Sequence, residues 1–504
     1  MYVVTALARS SDLSCTLLRK AVTKLAERAR TSYHVGAGGR PMATVDVHCH
    51  VFNADDLPVF GFVQRVFLHN ARLGAAVAGL LDFALQGFAA DHTRDLAQLN
   101  TLLADGGGLE GVSPSVRRTD LDAQVESSYA VLAATNPDLL ASAGEALAAE
   151  KGEAGLESCG FGDVRRLLRF VTLFTRSRLD LVADLATDFD DRLDLAVPLL
   201  VDLGTGLGDR GVSTRRQQMV LFEKLSRASM RGLLPNTGKV RLHPFVGFDP
   251  LRQLRAERTE PIETPLDQVK LAVLQYGFVG VKVYPPMGWR PTGNRARRSL
   301  SEREAKRLDN IVDELAAWCV TDQVPVTAHS ADSIHADSAY SGFGRPEEWS
   351  ALLDRHPGLH LNLGHFGGSS EARWPHRIAE AMTTHPGLYG DVGNHGVGSA
   401  AEVDSYFAML RELSAEDENL HQRLMYGSDW YMVAQQDGYD RFLDTYESRY
   451  EAEFGRERKE AFMGTNALTF LGFDNADNRN ARRLAERYRR FAPDRMPSWL
   501  AHRP

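Results

Sequence analysis

Cysteine is scarce and scattered: Cys15, Cys49, Cys159 and Cys319 are the four in 504 residues, and none sit as a Cys-x-x-Cys pair. That excludes a disulfide framework and a thiolate zinc cluster, and leads us to expect reduced thiols in a cytoplasmic setting. Basic charge is not in excess either. With 58 Lys and Arg against 66 Asp and Glu the net charge is −8, so the footprint of a nucleic-acid binder is missing. Long hydrophobic runs are nearly absent. Residues 73–90 form 18 mostly apolar positions, but Asp82 stands at their centre, where burial in lipid costs roughly 2.5–3.5 kcal/mol. A buried or covering helix is expected there rather than a membrane span. The start of the chain lacks a secretory pattern, because Arg9, Arg19, Lys20 and Lys24 interrupt it. Residues 1–43 read as a helical extension, with a short amphipathic helix at 16–30.

What the sequence does have is rhythm. Eight short apolar runs, at 44–52, 193–203, 240–248, 278–284, 324–329, 359–365, 387–393 and 423–429, are bounded by Gly or Pro and too short for helices. Such runs suit strands buried on both faces. Between them the spacing predicts helices at 214–234, 266–276, 301–320, 347–356, 375–384, 400–413 and 435–450. The 301–320 segment opens on Ser-Glu-Arg-Glu, a capping-box pattern. Strand–helix alternation carried to eight strands predicts an α/β fold, a (β/α)8 TIM-like barrel, rather than an open sheet. The first and second runs lie 140 residues apart, far beyond a usual crossover. The expected layout is therefore a barrel over 44–52 and 193–473, a large helical insertion at 53–192, and a C-terminal tail at 474–504. Because the insertion leaves from the C-terminal end of the first strand, it is expected over the barrel mouth, as a lid, a dimer surface or ornament.

Ionisable groups collect where a barrel keeps its chemistry. His48 and His50 flank Cys49; on a strand, positions two apart share a face, so both imidazoles point inward. Paired imidazoles suit zinc or a similar borderline metal. With 16 histidines in the chain a chance His-x-His is common, so position decides. His329, His365 and Asp429 also close apolar runs, and active sites of such barrels lie at the C-terminal ends of strands. Burying four imidazoles and a carboxylate at one rim is costly unless they are paired or hold a metal. His243, within the third run, reads as a packing residue.

The set VDVHCH at 45–50, GVKVYP at 280–285, TAHS at 327–330, NLGHFG at 362–367, LYGDVG at 388–393 and LMYGSDW at 424–430 resembles the amidohydrolase superfamily. It is most similar to the amidohydrolase-related branch that includes aminocarboxymuconate semialdehyde decarboxylase. GTNALTFLGF at 464–473 resembles that branch's closing segment, while 1–43, 53–192 and the last 30 residues lie outside the likeness. The resemblance implies His48, His50, His329 and Asp429 as ligands of one divalent ion, zinc first and manganese or another as alternatives. His365 would act as general base or electrophile beside the ion, and Asp429 would also handle the proton. Lys282 stands where binuclear relatives carry a carbamylated lysine; a single-metal site with Lys282 facing a substrate carboxylate or an acidic neighbour is the alternative expected here. Loops after strands line barrel pockets. Trp289, Arg290, Asn394, His395 and Trp430 are accordingly candidate substrate contacts, with loop packing the competing reading. Asp391 can hold a histidine in its tautomer or lie in a solvated loop.

The resulting expectation is a metal-dependent hydrolase that uses activated water on a small-molecule amide, lactone or related C–N or C–O bond. The same ligands would serve a decarboxylase of an aromatic or muconate-like acid, which needs cations beside the metal; a non-catalytic scaffold is the third reading. A small-molecule substrate, no nucleic acid, membrane contact disfavoured and a possible homodimer complete it.

Overall fold

The computed structural model describes residues 43–57, 62, 91–104, 118–153, 164–208, 213–259, 262–296, 299–368, 373–436 and 438–502. The helices expected at 16–30 and 73–90 fall outside the described residues. Among the described residues nine short strands are present: β1 (Val45–Cys49), β2 (Leu195–Pro198), β3 (Arg241–Leu242), β4 (Phe245–Phe248), β5 (Gly280–Val283), β6 (Val326–His329), β7 (Leu361–Gly364), β8 (Leu388–Asp391) and β9 (Leu424–Met425). Each falls within one of the eight apolar runs. β3 and β4 share the third run, broken at His243–Pro244, where proline has no N–H to offer a neighbour.

All strand pairings are parallel, and neighbours in sequence pair throughout β1 to β3 and β4 to β9. Two single bridges complete the circuit, Leu199 to Phe245 and Cys49 to Trp430. The sheet therefore closes on itself as a parallel α/β barrel, with β1 beside the segment that follows β9. Helices Arg215–Met230, Pro265–Gln275, Glu302–Asp322, Pro346–Arg355, Trp374–Thr384 and Ala400–Glu416 return the chain between strands. Four of them start on a reciprocal capping box, at Thr214, Thr264, Ser301 and Ser399. Each such cap stabilises its helix by about 1 kcal/mol. Helix Glu302–Asp322 buries Leu308, Ile311, Leu315 and Cys319 at helical spacing, while Trp318 sits half-buried at the edge. The helix expected at 435–450 begins later, at Phe442, because Gly438 takes a left-handed φ of 74° and turns the chain first.

Between β1 and β2 the described residues hold five helices: His92–Ala104, Arg118–Thr135, Pro137–Glu153, Val164–Phe174 and Arg178–Asp188. Leu99, Leu167, Phe170, Phe174, Leu181 and Leu185 from them join the main apolar core. Arg178 pins this region to the loop after β1. Its fully buried guanidinium grips Asp56 through two nitrogens, at 2.9 and 3.0 Å, reaches Asp95 at 3.0 Å and stands 3.4 Å from Asp55.

The segment after 473, expected as a tail, is part of the fold. Helix Arg479–Phe491 places Ala481, Leu484, Ala485 and Tyr488 against Val45, Val47, Leu195 and Phe245, sealing the end of the barrel where the strands begin. His243 packs there too, between Ser226 Oγ at 3.3 Å and the Tyr488 hydroxyl at 3.1 Å. Among the described residues no helix is long and apolar enough to cross a membrane.

Candidate metal centre

On β1 the alternation of a strand turns Asp46, His48 and His50 to the barrel interior and Val45, Val47 and Cys49 to the packed layer outside. Asp46 ties the strand to the segment that leads into Asp429: its carboxylate accepts the His48 N–H at 3.1 Å, the Ser428 N–H at 3.1 Å and the Ser428 hydroxyl at 2.5 Å. Burial pushes the Asp46 carboxyl up to about 7, against these three donors. Asp429 itself has φ of 57°, a left-handed value a non-glycine residue holds only when its surroundings enforce it. Its N–H donates to the His48 carbonyl at 2.6 Å, and the His50 N–H donates to the Trp430 carbonyl.

The ligand atoms of His48, His50 and Asp429 lie within 4.8 Å of one another, all buried. Protons on both histidines are assigned by their outer partners. His48 gives Nδ1–H to Asp391, 3.0 Å from each carboxylate oxygen, and His50 gives Nδ1–H to the Leu199 carbonyl at 2.9 Å. Both therefore present a bare Nε2 to Asp429 Oδ1, at 3.5 and 3.1 Å. That oxygen is buried and receives no hydrogen bond. Two imidazole lone pairs and a carboxylate oxygen facing one another are all acceptors, and a cation is what such a set accommodates.

Electrostatics favour the same protonation state. Burial lowers His48 to about 4 against the pull of Asp391, with Lys282 adding to the fall, so the ring is neutral. Burial opposes ionisation of Asp429, yet His50, His48 and His365 hold its carboxyl below the usual range. Asp391 also stays ionised despite burial, held well below the carboxylate range by His48, His365 and the Asn362 amide. A neutral His48 is the state in which that imidazole can bind a divalent ion.

His329 and His365 form a second pair beside the first. His365 donates Nδ1–H to the Gly393 carbonyl at 2.9 Å, leaving Nε2 to accept from His329 Nδ1 at 3.0 Å; His329 Nε2 meets the Ser333 hydroxyl at 3.3 Å. Burial, then His365, keeps His329 well below the usual imidazole range. The structure thus brings all five expected groups to one rim but sorts them three and two: His329, implied as a fourth ligand, is engaged by His365. The His48 and His365 rings are 4.8 Å apart. Lys282 Nζ lies 3.4 Å from His48 Nε2 and 4.7 Å from the centre of the Tyr284 ring. Burial lowers it to about 8, with Asp391 and Asp429 opposing.

The expected substrate contacts mostly fall elsewhere. Trp289 is fully buried against Trp349, ring centres 6.3 Å apart, among Val312, Leu315 and Leu352 behind the strands. Arg290 spends its charge on Glu348 at 2.6 Å and stacks over Phe343. Asn394 Oδ1 accepts from Gln436 at 2.9 Å. His395 lies 4.0 Å over Tyr406 and donates Nε2–H to the His365 carbonyl at 2.7 Å, a prop for the strained backbone there, where His365 has φ of 65°. Trp430 donates its indole N–H to Asp188 at 2.9 Å, tying the rim to helix Arg178–Asp188. These loops face both the mouth and the helical layer, and their residues chose the layer. Of the six expected substrate contacts, Lys282 places its side chain beside the metal-ligand cluster, and Trp430 adjoins it through its backbone.

Three residues escaped the sequence reading: Tyr284, stacked on His329 at 5.4 Å; Asn362, on Asp391 at 2.7 Å; and Gly427. A Cβ at Gly427 would stand 2.8 Å from the His48 Cβ, and one at Gly364 3.0 Å from the His48 ring, so glycine is what lets the imidazole in. All three sit in the quoted motifs, which carried the signal without its geometry.

Residues 258–473 match the amidohydrolase family model. No curated protein matches the chain. Among solved structures, a TIM-barrel protein from Bordetella bronchiseptica is 16% identical, covering 57% of this chain and 81% of that one, with a TM-score of 0.37. A zinc-bound amidohydrolase from Burkholderia multivorans is 16% identical over 60% and 91%, TM-score 0.37, and 5-carboxyvanillate decarboxylase from Sphingomonas paucimobilis 16% over 57% and 81%, TM-score 0.32. His48 and His50 precede the matched segment, and it is barrel closure that sets them against Asp429. The segment that carries His329, His365, Asp391 and Asp429 is the part of the chain that is similar to the amidohydrolase family.

Proposed function

We propose that the chain is a metal-dependent hydrolase of a small-molecule amide, lactone or related C–N or C–O bond. One observation carries the reading: the buried Asp429 oxygen, without a hydrogen-bond donor, faces two imidazole nitrogens whose protons are committed elsewhere. His48, His50 and Asp429 would hold one divalent ion; two nitrogens and one oxygen suit zinc, and three protein ligands leave the open position of a catalytic site. When bound, the ion supplies Lewis acidity and makes water a nucleophile at neutral pH.

The remaining groups then have defined tasks. His365 stands beside the centre with its Nε2 accepting from His329 Nδ1–H; where attacking water displaces that contact, Nε2 would take the water proton and return it to the leaving group. Lys282, with no carboxylate in ion-pair distance among the described residues, is placed to stabilise negative charge that develops on the substrate oxygen. A decarboxylase would need further cations to grip a carboxylate. Arg290, the other candidate, is bound to Glu348, which favours hydrolysis.

The helices between β1 and β2 would act as a roof. Phe52, 5.1 Å from the His50 ring, belongs to an aromatic cluster with Phe62, Phe174 and Tyr431 that would cover the ligands and limit access of bulk water.

The test is metal analysis of the purified protein followed by a panel of amide, lactone and aromatic-acid substrates, with Asp429→Asn alongside wild type. One zinc per chain, ring opening or amide cleavage without carbon dioxide, and an inactive but folded Asp429→Asn are expected. Full turnover in that variant would refute the assignment, and carbon dioxide release would move the reading to the decarboxylase.

A further inference from the structure

Asn362 is completely buried in the middle of β7, inside the barrel. Its side chain has two ends with opposite fortunes. The amide nitrogen donates to Asp391 Oδ2 at 2.7 Å and lies 3.4 Å from the Thr327 hydroxyl. The amide oxygen is buried with no hydrogen-bond partner. An ionised carboxylate only accepts, so the NH2 group must be the end that meets Asp391. The oxygen is left unsatisfied as the result, a cost that Val or Leu at the same strand position would avoid. A residue chosen for packing alone would be apolar here, as Leu361 and Leu363 on either side are.

What that amide secures is the hub of the centre. Asp391 accepts four groups: His48 Nδ1–H, Asn362 Nδ2–H, the His365 N–H at 3.1 Å and the Gly393 N–H at 2.9 Å. The first fixes the tautomer that bares His48 Nε2. The Gly393 contact orients the loop whose carbonyl fixes the tautomer of His365. Of the two side chains among these donors, His48 belongs to the ligand set and Asn362 does not. It restrains the carboxylate plane, and the plane restrains the imidazole.

We propose that Asn362 is a positioning residue for the metal centre, acting through Asp391 on His48. This rests on the metal reading above and extends it to a residue that touches neither ion nor substrate. Outer partners of metal-bound histidines carry about 10–100-fold in affinity, and one link further out a loss of fivefold or more is expected.

The experiment measures zinc affinity of the metal-free protein by competition with a chromophoric chelator, for wild type, Asn362→Leu, Asn362→Ser and Thr327→Val. Melting of each metal-free protein is recorded as well. Both Asn362 variants should bind zinc at least fivefold more weakly, while Thr327→Val, which removes the more distant contact, stays near wild type. A merely structural asparagine would shift the melting and leave the zinc constant where it was. If Asn362→Leu does not fold, Asn362→Ser decides, and a change under fivefold there overturns the proposal. Wild type that binds zinc beside an unaffected variant defeats only this inference; wild type that binds none defeats the metal reading and this inference with it.

Discussion

Replacing Arg178 with methionine removes the cation at the junction of the β1 loop and the helices that follow it. The guanidinium neutralises a pocket in which Asp55, Asp56 and Asp95 are all buried, with Asp95 the most enclosed. A single charge pair at about 4 Å and an effective dielectric of 20 is worth about 4 kcal/mol before desolvation. Breaking a buried pair by deleting one partner typically costs about 3–5 kcal/mol, since the orphaned charge stays in place. Asp55 and Asp95 are already raised by burial, with Arg178 pulling them down; without it they rise further. The sign of the pH dependence follows. A carboxyl whose folded pKa lies above its unfolded value binds protons more tightly when folded, so its stabilisation is present at low pH and is lost as pH rises through the folded pKa. Arg178→Met should therefore lose about 3–5 kcal/mol at pH 8 and visibly less at pH 5, each carboxyl that titrates returning about 1.4 kcal/mol per pH unit. Urea denaturation followed by tryptophan fluorescence at both values measures this. A loss below 1 kcal/mol at pH 8, or a larger loss at pH 5 than at pH 8, would refute the account of the cluster.

Other substitutions probe the centre itself. His329→Gln should keep one zinc per chain by metal analysis and lower turnover at least a hundredfold, because His329 pairs with His365 rather than completing the ligand set; loss of the metal would make it a ligand. Gly427→Ala drives a methyl against His48 and Asp391, so overpacking of about 1–3 kcal/mol should appear in melting together with weaker zinc binding. Arg290→Gln should leave KM for the best substrate within about twofold, since its guanidinium serves Glu348; a large rise in KM would return Arg290 to the pocket. Zinc added to the metal-free protein should raise its melting temperature, with 100-fold excess over Kd giving about 2.7 kcal/mol, and Asp429→Asn should abolish most of that gain.

The barrel was legible because its signal is repeated: eight apolar runs, too short for helices, can bury themselves only as neighbouring parallel strands. His48 and His50 were legible for a local reason, the two-residue period of a strand. Ser301 and Glu304 announced a helix start because a capping box is written in four consecutive residues. What stayed hidden depends on direction rather than spacing. Trp289 and Arg290 follow a strand on a loop, and nothing in their identity says whether a loop side chain turns to the mouth or to the helices behind. Asn362 lies in a quoted motif, yet its meaning is the carboxylate 29 positions later on the adjacent strand. The C-terminal helix did carry apolar residues at 481, 484, 485 and 488, but surrounding arginines disguised them as a solvated tail.

The bridge between Cys49 and Trp430 has a consequence for how the protein comes into being. The histidine pair leaves the ribosome early, while its aspartate partner is made some 380 residues later, from the other end of the circle. A growing chain can offer a passing ion only a loose two-point hold. On the proposed metal reading, full grip would arrive only when the last strand docks beside the first, so loading with metal would report ring closure.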